Sequence, residues 1–145
     1  MLRVAERWGT ARPSTAQLRE ETTSTFYISD DTVDAAAAGG VGVLAAGGEI
    51  DYAASPLLHE HIARHIKAGT RHLIIDLSGA TFIDSTAIGV LVGAVGSLRE
   101  ACGGTLAVVC EHENVLKIFE ISGLQAAIAM YRTREEAMSA LALVA

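Results

Sequence analysis

The sequence predicts an α/β fold: a single, mostly parallel or mixed β-sheet of four to five strands, packed with about four helices. Three observations point there. Half of the residues are hydrophobic but only 5% are aromatic, so small and branched aliphatic side chains must do the packing, which suits helices laid on a sheet. The run "RHLIIDLSG", residues 71–79, is short and almost continuously apolar, as in a buried parallel strand. From the second strand onward, strand patterns alternate with helical ones, and each connection is long enough for a right-handed crossover. A chain of 145 residues suits one domain with a real core. Residues 1–22 are polar and aperiodic and read as a tail, leaving 23–145 as the domain.

Each element has its own signal. "TSTFYIS" (23–29) has strand composition and suits an edge, and "DDTVDAAAAGG" (30–40) reads as a long loop or irregular hairpin connection. "VGVLAAGGEID" (41–51) is a second strand ending in a turn. In "SPLLHEHIARHIKAG", Ser55 is expected to cap a helix, with Pro56 at its first position and Gly69 at its end. Leu58, Ile62 and Ile66 recur every four residues, while His59, Glu60, Arg64 and Lys67 take the other positions. After the 71–79 strand, a further apolar strand ends at Asp84, and a helix runs from about 85 to 101 and stops at Gly103-Gly104. "TLAVVC" is the next buried strand, "ENVLKIFEISG" a short helix closed by Gly123, and "AIAMY" (127–131) the last strand. "TREEAMSALALV" is the final helix, with Thr133 and Glu136 forming a capping box.

Composition narrows the function. The net charge of −6 without a Lys/Arg cluster opposes binding to a polyanion, so no nucleic-acid partner is expected. Neither "AAAAGGVGVLAAGG" nor "AIGVLVGAVGSL" reaches the roughly 20 apolar residues of a membrane span. The first residues lack a secretory h-region, so a soluble, cytoplasmic chain is expected. Cys102 and Cys110 form no CxxC and read as buried reduced thiols rather than zinc ligands or a redox pair.

In a largely parallel sheet, sites gather where strands end and helices begin. Two places qualify: Gly48-Glu49-Ile50-Asp51 and Asp84-Ser85-Thr86. A serine hydrolase would need a GxSxG elbow, and the chain has "DSTAIG". His59, His61 and His65 share a helix, with His59 and His61 expected in solvent; His72 opens a strand and His112 lies in a loop. His61 and His65 sit one turn apart but lack an HExxH glutamate, so no metal is expected. No P-loop or GxGxxG is present, so no cofactor is expected either. Asp30-Asp31 and Asp76 loosely imitate a phospho-aspartate receiver, without the lysine that would complete one. For Asp84-Ser85-Thr86, a plain helix cap explains the residue types. Ala87, Gly89, Gly93, Ala94 and Gly96 give the following helix a smooth face, which can pack on the sheet or let a partner approach the hydroxyl. Residue types alone leave both readings open.

Four segments together resemble the STAS domain of bacterial anti-sigma factor antagonists: "GEID" (48–51), "LIIDLSGATFIDSTAIGVLVGA" (73–94), "GGTLAVVC" (103–110) and "VLKIFEISGL" (115–124). They fall in the family's order and spacing, and the resemblance covers about residues 41–143. It implies a STAS fold and a regulatory binding module rather than an enzyme. In the family, the serine directly after the aspartate is phosphorylated by an anti-sigma factor that is also a serine kinase; the matching residue is Ser85. The unphosphorylated form binds that anti-sigma factor and frees a sigma factor, and a PP2C-type phosphatase resets the switch. The partner surface maps to Gly48, Glu49, Asp51, Asp84, Ser85, Thr86, Ile88 and Gly89. Ala87 departs from the glycine usual in the family, and residues 1–22 and 30–40 lie outside its pattern. The alternatives are a STAS sensor or scaffold that works without phosphorylation and the receiver-like reading.

Overall fold

In a computed structural model, residues 25–31 and 40–144 are described; the expected tail (1–22) and most of the 30–40 connection lie outside them. The elements are β1 (Phe26–Asp30), β2 (Val41–Ile50), α1 (Ser55–Lys67), β3 (His72–Asp76), β4 (Ala80–Ile83), α2 (Ser85–Cys102), β5 (Thr105–Val109), α3 (Glu113–Ser122), a 3-10 turn (Leu124–Ala126), β6 (Ala129–Tyr131) and α4 (Arg134–Val144). The strands form one sheet in the order β1-β2-β3-β5-β6, with β4 also paired to β2. Only β1 runs antiparallel, against β2; the other pairings are parallel. The fold is therefore the expected α/β one with four helices, and the short β4 brings the sheet to six strands among the described residues.

The sheet separates two cores, because strand side chains alternate between its faces. On one face Leu44, Ala46, Leu73 and Ile75 meet Leu58 and Ile62 of α1, Leu91 and Leu98 of α2, and Val115 and Phe119 of α3. On the other, Val41, Val43, Ile74, Ala107 and Val109 meet Ala137 and Leu141 of α4. Every residue of β3 is buried, as its unbroken apolar run requires when both faces are covered.

The expected 71–79 strand is shorter. It ends at Asp76, whose carboxylate accepts hydrogen bonds from Ser78 N (2.9 Å) and the Ser78 hydroxyl. This local turn carries the chain from β3, which pairs with the first half of β2, to β4, which pairs with its end. Ser55 is not a cap. It is the first residue of α1, buried, and its hydroxyl donates to Asp51 O at 3.0 Å. The expected stop of α2 is present: Gly103 adopts the left-handed conformation at φ 69° and its N–H returns to Arg99 O. The 133–136 box is half formed. Glu136 N donates to Thr133 Oγ1 at 3.1 Å, but the Glu136 carboxylate takes Arg132 N at 3.0 Å instead of Thr133 N.

Candidate functional site

The ends of β2 and β4 lie side by side, Ile50 opposite Ile83, and Asp84 N donates across to Ile50 O at 3.2 Å. Both strands then turn directly into helices, so the starts of α1 and α2 share one edge of the sheet. The two sequence-predicted sites thus meet there.

Asp84 is the N-cap of α2. Its backbone is extended (φ −108°, ψ 179°), its Oδ1 accepts Ala87 N at 3.0 Å, and its carbonyl takes Ile88 N at 3.0 Å. With the capping done by the aspartate, Ser85 occupies the first helical position, and it and Thr86 are exposed. Neither hydroxyl has a hydrogen-bond partner among the described residues. Ala87, by contrast, is fully buried under the first turn. The backbone N–H groups of Ser85 and Thr86 precede the intrahelical ladder and face a site where the helix dipole favours negative charge.

Asp51 organises the other turn. Its Oδ1 accepts Ala53 N (3.0 Å) and Ala54 N (3.3 Å), and its carbonyl accepts Ser55 N (3.1 Å). Gly48 sits at a register shift in the β2–β4 pairing with φ 81°, and a Cβ there would lie 2.0 Å from Thr25 O. Its glycine is thus required by the bulge itself. Glu49 is exposed, and its Oε1 accepts the Thr25 hydroxyl at 3.3 Å. Ile88 turns half inward onto the core, whereas Gly89 is exposed with open space above it. Beyond Thr86, a groove of about 360 Å³ runs between α1 and α2, bordered by His59, Ala63, Gly89, Gly93 and Ser97. Two exposed aromatics at this edge escaped the sequence reading: Tyr52 directly after Asp51, and Phe82 opposite Glu49. Tyr52 had a usable signal, a large aromatic within a polar turn. Phe82 had none, because the bulge decides which way it faces.

The other candidates have local explanations. Asp31 and Asp76 do converge, but on Arg134, whose Nη2 lies 2.7 Å from Asp31 Oδ2 and whose Nε lies 2.5 Å from Asp76 Oδ2. Arg134 opens α4, so this cluster ties that helix to β3 and to the end of β1. Burial pushes the Asp76 carboxyl up, yet the hydrogen bonds from Ser78 and Arg134 outweigh it and hold it below the usual range. Asp30 instead meets the buried His65, Oδ1 to Nε2 at 3.2 Å, and His65 Nδ1 lies 3.1 Å from Thr70 Oγ1. His61, expected in solvent, is half-buried; desolvation, aided by Arg64, lowers its pKa to about 4. His59 is exposed, His72 Nδ1 lies 2.8 Å from Thr105 Oγ1, and His112 Nδ1 caps α3 by accepting Asn114 N at 3.2 Å. Among the described residues no group of three His, Cys, Asp or Glu is placed to hold a metal ion, and no helix is long and apolar enough to cross a membrane. Both cysteines are free thiols; Cys110 is buried, which raises its pKa, and Cys102 is half-buried.

A family model for the STAS domain matches residues 32–137, and the chain belongs to that family. Several proteins that it resembles are named anti-sigma factor antagonists. It is 30% identical over 79 residues to the anti-sigma-B factor antagonist of Staphylococcus aureus (strain NCTC 8325 / PS 47), covering 54% of this chain and 72% of that one. Among solved structures, an anti-sigma factor antagonist from Mycobacterium paratuberculosis superposes with a TM-score of 0.69 at 25% identity, over 79% of this chain and 92% of that one. The anti-sigma factor antagonist SpoIIAA in its unphosphorylated form gives a TM-score of 0.67 at 25% identity, over 79% and 96%.

Proposed function

We propose that this chain is an anti-sigma factor antagonist, a binding module rather than an enzyme, working in the cytoplasm and switched at Ser85. Unphosphorylated, it docks an anti-sigma factor through the rim formed by Gly48–Asp51, Asp84–Thr86 and the first turns of α2, and the sigma factor is released. The anti-sigma factor, acting as a serine kinase, phosphorylates Ser85 and the pair separates; a PP2C-type phosphatase restores the hydroxyl. The observation that carries the reading is the capping arrangement: Asp84 holds the helix start, so the Ser85 hydroxyl is exposed and has no structural duty. The names of the relatives support the class of partner, and SpoIIAA has also been solved in a phosphorylated form.

A phosphate adds a charge of about −1.5 to −2 at neutral pH. At the first turn of α2 the free N–H groups and the dipole accommodate an anion, so the helix stays folded and the effect falls on the interface. There the added bulk, the desolvation of a dianion and repulsion from partner carboxylates weaken docking, and a tenfold loss needs only about 1.4 kcal/mol.

The test is incubation of the purified chain with ATP and each purified anti-sigma factor from the same cell, followed by intact mass and by binding without ATP. One phosphate is expected on the wild type and on Thr86→Ala, and none on Ser85→Ala, which still binds. Phosphate retained in Ser85→Ala would refute the site assignment. Binding with no phosphate transfer would leave a STAS module that works without this modification.

A further inference from the structure

The edge that carries Ser85 also carries a large aromatic side chain left mostly in solvent. Tyr52 is 72% exposed, the most exposed aromatic among the described residues. Its backbone, however, is held firmly, with Asp51 Oδ1 bonded to Ala53 N and Ala54 N and the Asp51 carbonyl bonded to Ser55 N and to the Ser55 hydroxyl. A large apolar ring displayed on a fixed turn loses little conformational freedom on binding, which is how aromatic anchors contribute affinity. Its hydroxyl has no hydrogen-bond partner among the described residues. Tyr52 directly follows Asp51 in the chain, and the pairing of β2 with β4 brings Glu49 and the Asp84 turn to the same edge of the sheet. None of these three carboxylates forms an ion pair among the described residues, whereas Glu60, Asp31 and Asp76 are each paired with arginine.

We infer that Tyr52 is the anchor for a cationic side chain, arginine or lysine, of the docked anti-sigma factor, and that it helps decide which anti-sigma factor this chain accepts. The inference rests on the reading that this rim docks such a partner. The negative face of the ring attracts a cation, and the carboxylates without an ion pair at the same edge raise the local cation preference. Arginine fits best, because its planar head stacks on the ring while its N–H groups reach the carboxylate oxygens.

The experiment measures the affinity of the full chain and of Tyr52→Phe, Tyr52→Leu and Tyr52→Ala for each purified anti-sigma factor from the same cell, without ATP. Tyr52→Ala is expected to bind at least about tenfold more weakly and Tyr52→Phe within about threefold of wild type, because the ring is the anchor. Tyr52→Leu should fall near the alanine variant, because it keeps apolar area but loses the quadrupole. Thermal unfolding of each free variant should match the wild type. Wild-type affinity in Tyr52→Ala would overturn the inference while leaving the proposed function standing. Tyr52→Leu binding as well as Tyr52→Phe would overturn the cationic occupant. Failure of the wild type itself to bind any of the anti-sigma factors would overturn the underlying reading and this inference with it.

Discussion

Replacing Ser85 by Glu separates an effect on the interface from an effect on the fold, because the two have opposite signs. Ser85 is exposed at the first position of α2 and its hydroxyl makes no bond within the described residues, so its removal costs the fold nothing in hydrogen bonding. The new carboxylate meets the N-terminal N–H groups and dipole, worth about 0.3–1 kcal/mol in favour of the folded state. The neighbouring Asp84 subtracts a part of that by like-charge repulsion, leaving a net of about 0 to +0.5 kcal/mol, or at most about 2–3 °C in Tm. Affinity for the anti-sigma factor should instead fall by about tenfold or more, equivalent to at least about 1.4 kcal/mol. Urea unfolding of the free chain and calorimetric titration with the partner supply the two numbers. A Ser85→Glu chain destabilised by more than about 1 kcal/mol would refute the reasoning, because weaker binding would then reflect a damaged helix start.

Three further outcomes follow from the geometry. Gly48→Ala should destabilise by about 2 kcal/mol or more, because the residue must adopt a positive φ and its Cβ meets Thr25 O; urea unfolding within 0.5 kcal/mol of wild type, on the order of a neutral surface substitution, would contradict the bulge. Arg134→Ala should cost about 1–3 kcal/mol, because it strands the buried Asp76 carboxylate. That carboxyl titrates below its usual value, so in the wild type its contribution is present above the unfolded pKa and disappears as acid protonates it. Arg134→Ala should shrink that acid-dependent part of the unfolding profile. His61 titrates at about 4 in the fold against 6.5 ordinarily. The unfolded chain therefore takes up the proton first as pH falls, and stability is complete above about 6.5 and declines between 6.5 and 4. Since the ring keeps contact with solvent, about 1 kcal/mol is expected from it. His61→Gln should flatten the profile by that amount, and an unchanged wild-type-minus-variant difference across this range would show that His61 is not the group responsible.

What the sequence discloses depends on how locally a feature is determined. The stops of α2 and α3 at Gly103 and Gly123 are legible because a left-handed cap is a one-residue requirement that glycine meets. Buried β3 is legible because covering both faces of a strand leaves no polar position. Its end was not, because Leu77 keeps the run apolar and the turn is made by Ser78 reaching the Asp76 carboxylate. Serine is a good cap, but here Ala54 takes the cap position without a side-chain bond, and both the Ser55 hydroxyl and its N–H turn back to the Asp51 carbonyl four residues upstream. The contact of Arg134 with Asp31 spans 103 positions, and no local pattern announces a bond of that range. For the same reason Asp31 and Asp76 imitate a receiver's acidic cluster in sequence, although in the fold both pair with Arg134.

The candidate site combines both kinds of information. Its capping residue was readable, since an aspartate before a helix is a recognisable cap, whereas the serine behind it was singled out only by the family resemblance. Its coherence was not, because only the parallel pairing of β2 with β4 brings the Asp51 and Asp84 turns to one edge. That pairing also makes the site a rigid framework with side chains exposed on it. The two aspartates secure the turns with their own carboxylates, and the sheet holds the turns together. Ser85 and Tyr52 are left exposed, with no part in that framework. The phosphate proposed at Ser85 would therefore change what a partner meets without changing what holds the domain together.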